Sequence, residues 1–257
     1  MIAAFVQARF SASRLPGKVL KNILGKPMLE LQIERIRSSR MIDRIVVVTS
    51  ITPEDRRLVE LCERIGIDVF CGSLENVLDR FYRAALKFKP DHIVRLTGDC
   101  PLIDIGVVDS MIRLYLEQGG DYGTNCSPPT YPDGLDAEVF TFQALKEAHE
   151  EAVLPSHLEH VTLFLDSQPA RYKTVNLSHS EDLSRLRWTV DEPEDFDFVR
   201  SVFEQLYPSN PHFVMEDVLA LLRAKPELGA LNQRFIRNEG LLKSLEKDKK
   251  ILGKSGV

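Results

Sequence analysis

The sequence predicts an α/β fold with a mixed, mostly parallel sheet and helices on both faces. Strand-like and helix-like segments alternate through residues 1–120, and this alternation is typical of parallel sheets with right-handed crossovers. Residues 44–50 form a continuous β-branched run, as expected for a strand covered on both faces. The length of 257 residues favours one domain with an appended subregion.

The first half of the chain contains four predicted strand and helix pairs. The strands are predicted at residues 2–6, 44–50, 67–70 and 91–96. The helices are predicted at residues 27–38, 53–65, 75–88 and 107–118. Pro27 and Pro53 open two of these helices, and Gly66 and Gly119 follow the ends of two. Both residue types are favoured at these positions.

The second half of the chain has a different pattern. After a loop at residues 125–134, strands are predicted at residues 137–142, 171–177 and 184–190. Helices are predicted at residues 143–151, 156–166, 193–206, 215–224 and 228–236. The interleaved strands suggest a small β subregion, residues 121–185, that covers the active site or pairs with a second subunit. Residues 1–238 would form one domain, followed by a frayed C-terminal tail at residues 239–257.

The bulk composition excludes several classes of protein. With 33 basic and 38 acidic residues the net charge is −5, which argues against a general nucleic-acid or anionic-membrane surface. No apolar run approaches the roughly 20 residues of a membrane span, and no signal-peptide pattern opens the chain. The four cysteines form no C-x-x-C pair, so we expect small buried thiols in a reducing, cytoplasmic compartment.

A basic loop follows the first predicted strand. Arg9 and Arg14 can present planar forks to phosphate oxygens, Lys18 adds a compact charge, and Gly17 allows close backbone approach. Because open α/β sheets bind ligands at the carboxyl ends of strands, the loop suits the β- and γ-phosphates of a nucleoside triphosphate. The alternative is a solvated basic turn without a ligand. Neither G-x-x-x-x-G-K-[ST] nor G-x-G-x-x-G is present, which argues against P-loop ATPases and dinucleotide enzymes.

Two carboxylates lie at predicted strand ends. Asp99 follows the fourth strand and Asp191 follows residues 184–190, so both are candidate ligands of Mg²⁺, which prefers one or two carboxylates plus substrate phosphates. The alternative for Asp99 is a turn cap. Glu194 and Asp195 fall in the first turn of the helix that Pro193 opens, where acidic residues are expected for structural reasons alone.

These stretches together resemble a known family, the cytidylyltransferases that activate acidic sugars (the CMP-acylneuraminate and CMP-Kdo synthetase superfamily), and in particular its spore coat polysaccharide biosynthesis branch. The resembling segments are Gln7-Ala8-Arg9 and residues 13–18, 95–102, 132–139, 159–162 and 189–195. The resemblance covers roughly residues 1–200. It implies a GT-A-like, Rossmann-related fold, a requirement for CTP and Mg²⁺, release of pyrophosphate, and a homodimer.

The resemblance also implies roles for individual residues. It assigns the triphosphate to Arg9, Arg14 and Lys18, and magnesium to Asp99 and Asp191, with catalysis resting on the three cations and Asp99. Further nucleotide-binding positions are Gln7, Ala8 and Gly98, and, as a loose match to the nucleobase-side loop, Gly72 and Ser73.

The acceptor site is expected around the loop at residues 132–138. Asp133, Asp136 and Glu138 could hydrogen-bond sugar hydroxyls or approach the metal, although Asp133-Gly134 could equally be a turn. His160 could orient the acceptor or be a satisfied helix histidine. The sugar-binding sequence of the sialic-acid enzymes is absent, so the acceptor cannot be copied from them.

The resulting prediction is an Mg²⁺-dependent enzyme that transfers a cytidylyl group from CTP to an acidic sugar in surface polysaccharide synthesis. No residue is clearly the base, and a hydroxyl pKa lowered by the metal could make one unnecessary. One alternative is a glycosyltransferase on the same fold, although the Asp-x-Asp motif of such enzymes is missing at Gly98-Asp99-Cys100. The other is a nucleotide-binding protein without turnover.

Overall fold

The computed structural model describes residues 1–12 and 14–253. Ser13, in the resembling segment 13–18, and residues 254–257 of the predicted tail lie outside the described residues. The strands are β1 (Ile2–Gln7), β2 (Asn22–Ile23), β3 (Lys26–Pro27), β4 (Arg44–Ser50), β5 (Asp68–Gly72), β6 (His92–Thr97), β7 (Tyr122–Thr124), β8 (Glu138–Thr141) and β9 (Thr174–Asn176). Strands β2 and β3 form a separate two-stranded hairpin, which the sequence patterns did not predict.

The helices alternate with these strands through α4 and dominate the C-terminal third of the chain. They are α1 (Met28–Ile36), α2 (Arg56–Ile65), α3 (Val77–Phe88), α4 (Ile105–Gln118), α5 (Phe142–Glu151), α6 (Pro155–His160), α7 (Leu163–Asp166), α8 (Pro193–Leu206), α9 (Met215–Ala224), α10 (Pro226–Gly229) and α11 (Glu239–Leu252). None of the helices in the described part of the chain is long and apolar enough to cross a membrane.

The other seven strands form one sheet in the order β5-β4-β1-β6-β8-β7-β9. The central strand β1 pairs in parallel with β4 and β6, so that Val6 lies opposite both Val47 and Leu96. Strand β8 runs antiparallel to its two neighbours, and β9 pairs in parallel with β7. The predicted mostly parallel sheet is confirmed, and the strands of the predicted subregion extend it.

Apolar side chains cover both faces of this sheet. Along β1, Ala4 and Val6 belong to the cluster packed by α1, α2, α4 and α8, whereas Ala3 and Phe5 belong to the cluster packed by α3 and α5. All four side chains are fully buried. Because both faces of the sheet are covered, side chains on either face of β1 and β4 are buried, and both strands are continuous apolar runs. Each large apolar side chain stabilises the fold by roughly 1.5–3 kcal/mol on burial.

Two predicted helices differ from the structure. The helix predicted at residues 156–166 is broken into α6 and α7, because Val161 adopts a left-handed φ of 51°. The helix predicted at residues 228–236 is wrong beyond α10, since the chain from Ala230 to Asn238 makes turns instead.

The strand predicted at residues 184–190 is also wrong. Its backbone makes one isolated bridge, from Arg187 to Asp133, and Trp188 N–H donates to the Asp133 carbonyl at 2.6 Å. Trp188 and Val190 are buried against the core, which produces a strand-like pattern without a neighbouring strand.

The C-terminal segment is helical rather than frayed. The frayed tail predicted after Asn238 is wrong for residues 239–252, which form α11 and pack against α6. The four cysteines are free, as expected, and Cys62 and Cys100 are buried. The prediction of burial is wrong for Cys71, which is exposed.

A close backbone contact fixes the loop that precedes β8. Gly134 has φ of 112°, and a Cβ built there would lie 2.6 Å from the Trp188 carbonyl carbon. Asp133 N–H donates to the Leu186 carbonyl at 2.9 Å in the same contact. A glycine is therefore required here both for its backbone conformation and for space.

We expect Gly134→Ala to lower the free energy of unfolding by at least about 1–3 kcal/mol, because backbone strain and overlap with Trp188 add. Chemical denaturation measures the change. Gly66→Ala is the matched control, since Gly66 also has positive φ, 66°, but nothing lies within 4 Å of its added Cβ. An equal decrease in the free energy of unfolding in the two variants would show that the overlap of the added methyl group with Trp188 does not destabilise the protein.

Candidate active site

A cavity of about 720 Å³ opens at the carboxyl ends of β1 and β6. Its walls come from the loop after β1, the loop after β6, residues 126–138, helices α6 and α7, residues 187–191 and helix α11. Cavities of this size commonly hold small-molecule ligands, and the carboxyl end of a parallel sheet is where α/β folds bind them.

Lys18 lies at the centre of the charged groups in this cavity. Its Nζ donates to Asp99 Oδ2 at 2.9 Å, to Asp191 Oδ1 at 2.8 Å and to the Val190 carbonyl at 2.7 Å. These three acceptors match the three hydrogens of an ammonium group. The structure therefore brings Asp99 and Asp191, 92 positions apart in the chain, to a common cation.

The electrostatics of this contact favour full ionisation. Burial lowers the pKa of Lys18, but the charges of Asp99 and Asp191 outweigh burial, and the pKa is raised overall. Burial raises the pKa of Asp99, but the Lys18 charge outweighs it and lowers that pKa to about 2. Lys18 and Asp99 are both charged at neutral pH.

Arg14 is surrounded by carboxylates. It forms ion pairs with Asp191 at 3.1 Å, with Glu192 at 3.2 Å and with Glu239, the first residue of α11. Its side chain is 29% exposed, so a ligand in the cavity can still reach it. An anion that binds Arg14 has to compete with these carboxylates.

Arg9 differs from the other two cations of the loop. It is exposed and lines the cavity, and its guanidinium has no hydrogen bond or ion pair to any residue in the described ranges 1–12 and 14–253. Its five donors are available to an incoming anion.

Arg187 contacts three carboxylates of the site, one of which, Asp191, also contacts Lys18. The sequence patterns did not indicate this arginine. It forms a bidentate pair with the fully buried Asp195, at 2.9 and 2.8 Å, and reaches Asp133 and Asp191 at 3.3 Å each. Asp195 also accepts from Asp191 N–H and Glu192 N–H at 2.9 Å each. The prediction that Asp195 is a structural cap is confirmed, and Arg187 ties that cap to the cavity.

The three predicted acceptor-site carboxylates all line the cavity. Asp136 pairs with Arg237 at 2.7 Å, and Asp133 with Arg187. Burial, followed by the charge of Asp136, raises the pKa of Asp133 to about 7. Burial raises the pKa of Asp136, although Arg237 opposes the shift.

The carboxylate of Glu138 accepts hydrogen bonds at the centre of a buried polar network. Tyr122 and Thr162 each donate to its Oε1 at 2.6 Å, and Arg95 pairs with its Oε2. Tyr122, Arg95 and Thr162 also line the cavity. The network presents hydrogen-bonding groups on a fixed surface next to His160, which lines the cavity as well.

Three predicted nucleotide-binding positions join the loops after β1 and β6. Gly98 N–H donates to the Gln7 carbonyl at 2.8 Å, and a Cβ at Gly98 would lie 2.9 Å from that of Ala8. The structure does not bring Gly72 and Ser73 to the cavity. Both contact Arg80 instead, Gly72 through a tight fit and Ser73 through its carbonyl at 3.1 Å.

The two carboxylates that contact Lys18, Asp99 and Asp191, are ligands of the type that Mg²⁺ prefers. No cluster of three or more metal-binding side chains occurs within residues 1–12 and 14–253, so a site made only of protein side chains is not formed there. Asp99 and Asp191 nevertheless supply two carboxylates on one cavity wall, which is the number that Mg²⁺ commonly takes from a protein beside phosphates and water.

Comparison with protein families gives a match over most of the chain. Residues 3–216 match the family model described as cytidylyltransferase. The chain is 32% identical over 233 residues to the spore coat polysaccharide biosynthesis protein SpsF of Bacillus subtilis, covering 88% of this chain and 95% of that protein. It is 34% identical over 140 residues to the mitochondrial 3-deoxy-manno-octulosonate cytidylyltransferase of Arabidopsis thaliana, covering 52% of this chain and 47% of that protein.

A solved structure with the same architecture is a cytidylyltransferase from Leptospira borgpetersenii serovar Hardjo-bovis. The TM-score is 0.86 at 30% identity, and the similarity covers 92% of this chain and 99% of that chain. The likeness therefore extends over nearly the whole of both molecules.

The raised pKa of Asp133 gives its carboxyl a pH-dependent effect on stability. The pKa is about 7 in the folded protein against an ordinary 3.8. Between these values the unfolded chain loses the proton and the folded protein keeps it. The stabilisation is thus present below about pH 4 and is lost as the pH rises through the folded value. We expect the Tm of Asp133→Asn minus that of the unsubstituted protein to increase from pH 4 to 7 and then to level off.

Thermal unfolding across this pH range measures the difference. Asp197→Asn, which changes an exposed carboxylate on α8 outside the cavity, is the control. A difference for Asp133→Asn that is constant or falls with pH would contradict a raised pKa.

Proposed function

The chain belongs to the cytidylyltransferase family and is a nucleotidyltransferase, and from this we propose that it transfers a cytidylyl group from CTP to an acidic sugar with Mg²⁺. The observation that carries the proposal is the meeting of Arg9, Arg14 and Lys18 with Asp99 and Asp191 in one cavity. The resemblance to SpsF supports a role in the synthesis of a surface polysaccharide, and the resemblance to a 3-deoxy-manno-octulosonate cytidylyltransferase supports an acidic sugar as acceptor.

The proposed reaction is an in-line displacement at phosphorus. A hydroxyl oxygen of the acceptor attacks the α-phosphorus of CTP and loses its proton, the bond from the α-phosphorus to the oxygen bridging the α- and β-phosphates breaks, and pyrophosphate leaves. The enzyme has to position the two reactants and stabilise charge that moves to the pyrophosphate. A cavity of about 720 Å³ has room for a nucleotide and a sugar together.

The three cations are proposed to bind the β- and γ-phosphates. The guanidinium of Arg9, which has no partner among the described residues, is available for first contact. Arg14 would exchange Glu239 for a phosphate, and the buried ammonium of Lys18 would hold its position and charge throughout. Gln7, Ala8 and Gly98 set the spacing between the two loops at the nucleotide.

Asp99 and Asp191 are the residues that would hold Mg²⁺. When bound, the metal would neutralise charge on the α-phosphate and orient it toward the acceptor. Asp133, Asp136, Glu138 and His160 line the rest of the cavity and are proposed to bind the acceptor. We also propose that the protein is a homodimer, which rests on the family resemblance alone. A cytoplasmic location is proposed from the sequence patterns.

The substrates can be identified by measuring pyrophosphate release. Four nucleoside triphosphates are tested in turn against a panel of 2-keto acidic sugars, with Mg²⁺ present. We expect release with CTP only when an acceptor is added. Nucleoside diphosphate release from a nucleotide-sugar would instead indicate a glycosyltransferase, and CTP binding without release would indicate a non-catalytic protein.

Arg9→Ala tests the phosphate-binding role without disturbing the fold. Because Arg9 is exposed and unpaired among the described residues, we expect Tm to be unchanged while the KM for CTP rises about ten- to hundredfold. Arg40→Ala is the matched control, because Arg40 is also exposed and its guanidinium has no partner among the described residues, but it lies outside the cavity. An unchanged KM in Arg9→Ala would remove Arg9 from the site.

Lys18→Ala and Asp99→Asn test the group formed by Lys18, Asp99 and Asp191. We expect each substitution to lower kcat with CTP and acceptor by about a hundredfold or more. Lys21→Ala serves as control, because that lysine is outside the cavity and lies over the Phe196 ring. Unchanged turnover in folded Lys18→Ala and Asp99→Asn would show that the site is elsewhere.

A further inference from the structure

Helix α11 forms part of the cavity although it lies beyond the residues that match the family model. The match ends at residue 216, whereas Glu239, Lys243, Ser244 and Lys247 of α11 line the cavity. The family match therefore supplies no role for this wall.

Buried polar contacts hold α11 against α6. Asp248 is 5% exposed, and its Oδ1 accepts from Ser156 N–H, in the first turn of α6, at 3.1 Å. An acidic group at this end of a helix satisfies a free N–H and favours the helix dipole. The contact fixes the position of Ser244, one turn before Asp248 and 1% exposed.

The hydrogen bonds of Ser244 determine which nitrogen of His160 carries the proton. Ser244 Oγ lies 2.7 Å from Glu159 Oε2, 3.2 Å from the Gly240 carbonyl and 3.1 Å from His160 Nε2. A carboxylate and a carbonyl can only accept, so the single hydroxyl proton goes to one of them. The Nε2 of His160 must then be the donor to Ser244.

The other ring nitrogen of His160 is left as an acceptor. Burial and the charge of Arg95 lower the pKa of His160, so the imidazole is neutral at neutral pH. With its proton on Nε2, Nδ1 carries a lone pair. Nothing in the described ranges 1–12 and 14–253 donates to Nδ1, and His160 lines the cavity.

The backbone next to His160 is strained. Val161 has φ of 51°, a region that β-branched residues rarely adopt, and Thr162 N–H closes a tight turn onto the His160 carbonyl. Such strain concentrates at functional sites. Here the turn places His160 and Thr162 in the same cavity wall.

We propose that Ser244 is a positioning residue that holds His160 as the Nε2–H tautomer, so that Nδ1 accepts a hydrogen bond from a hydroxyl of the acceptor sugar. The proposal rests on the proposed function and adds a determinant of acceptor binding from α11. The proposal requires an acceptor sugar that, when bound, has a free hydroxyl group directed toward His160 at the end of α6.

Two substitutions of His160 separate its nitrogens. His160→Gln keeps a donor for Ser244 but has no acceptor at the Nδ1 position, and His160→Asn keeps an oxygen near that position but cannot reach Ser244. We expect Ser244→Ala and His160→Gln to raise the KM for the acceptor about three- to tenfold, and His160→Asn to raise it less. The kcat and the KM for CTP should stay within about twofold of the unsubstituted enzyme.

Ser110→Ala is the matched control for Ser244→Ala. Ser110 also bonds the carbonyl four residues earlier in its helix, at 2.6 Å to Gly106, but it lies on α4 away from the cavity. The tautomer is measured separately by ¹⁵N NMR of histidine-labelled, unsubstituted protein, with the His160 signals assigned from His160→Gln. We expect protonated Nε2 and unprotonated Nδ1, and a mixture of tautomers in Ser244→Ala.

The outcomes distinguish this inference from the proposed function. Protonated Nδ1 in the unsubstituted protein, or an unchanged KM for the acceptor in both Ser244→Ala and His160→Gln, would overturn the role of Ser244 while the transferase stands. If the unsubstituted protein releases no pyrophosphate with any nucleotide and acceptor, the proposed function fails and this inference fails with it.

Discussion

The ammonium group of Lys18 is the interaction on which the site depends, because it joins three distant parts of the chain. It connects the loop after β1 with Asp99 after β6 and with Asp191 before α8. Its side chain is 9% exposed, and these two carboxylates, together with the Val190 carbonyl, replace the water that the ammonium group loses. Removing Lys18 takes from Asp99 its cationic partner, and breaking a buried ion pair in this way commonly costs about 3–5 kcal/mol. The same contact therefore shapes the cavity and stabilises the fold around it.

The charges of the site are largely neutralised by one another before a nucleotide arrives. Lys18 is paired with Asp99 and Asp191, Arg14 with carboxylates that include Glu239, and Arg187 with Asp195. This arrangement avoids uncompensated charge in a partly buried cavity. It also means that the proposed binding of a triphosphate is an exchange of partners for Lys18 and Arg14. Arg9, which is unpaired within residues 1–12 and 14–253, would bind the phosphates without such an exchange.

The fold could be predicted because burial on both faces imposes continuous apolar strands. Arg9, Lys18 and Asp99 could be proposed because the carboxyl ends of β1 and β6 meet at one edge of the sheet. Asp191 was indicated by a strand end that does not form, so its position beside Lys18 comes from the structure. Arg187 and Glu239 could not be proposed, since the partners of Arg187 lie 4, 8 and 54 residues away and Glu239 lies 225 residues from Arg14. Apolar periodicity also failed at residues 184–190, where Trp188 packs into the core without joining the sheet. Long-range pairing of polar side chains leaves no local pattern in a sequence.

The central claim is that Asp99 and Asp191 bring a divalent metal to the triphosphate, and the affinity of the unsubstituted protein for CTP tests it most directly. Calorimetry would compare binding in the presence of Mg²⁺ with binding in a chelator. We expect CTP to bind at least about tenfold more weakly without Mg²⁺, because the metal that would link Asp99 and Asp191 to the phosphates is then missing. Equal affinity in the two conditions would contradict the account.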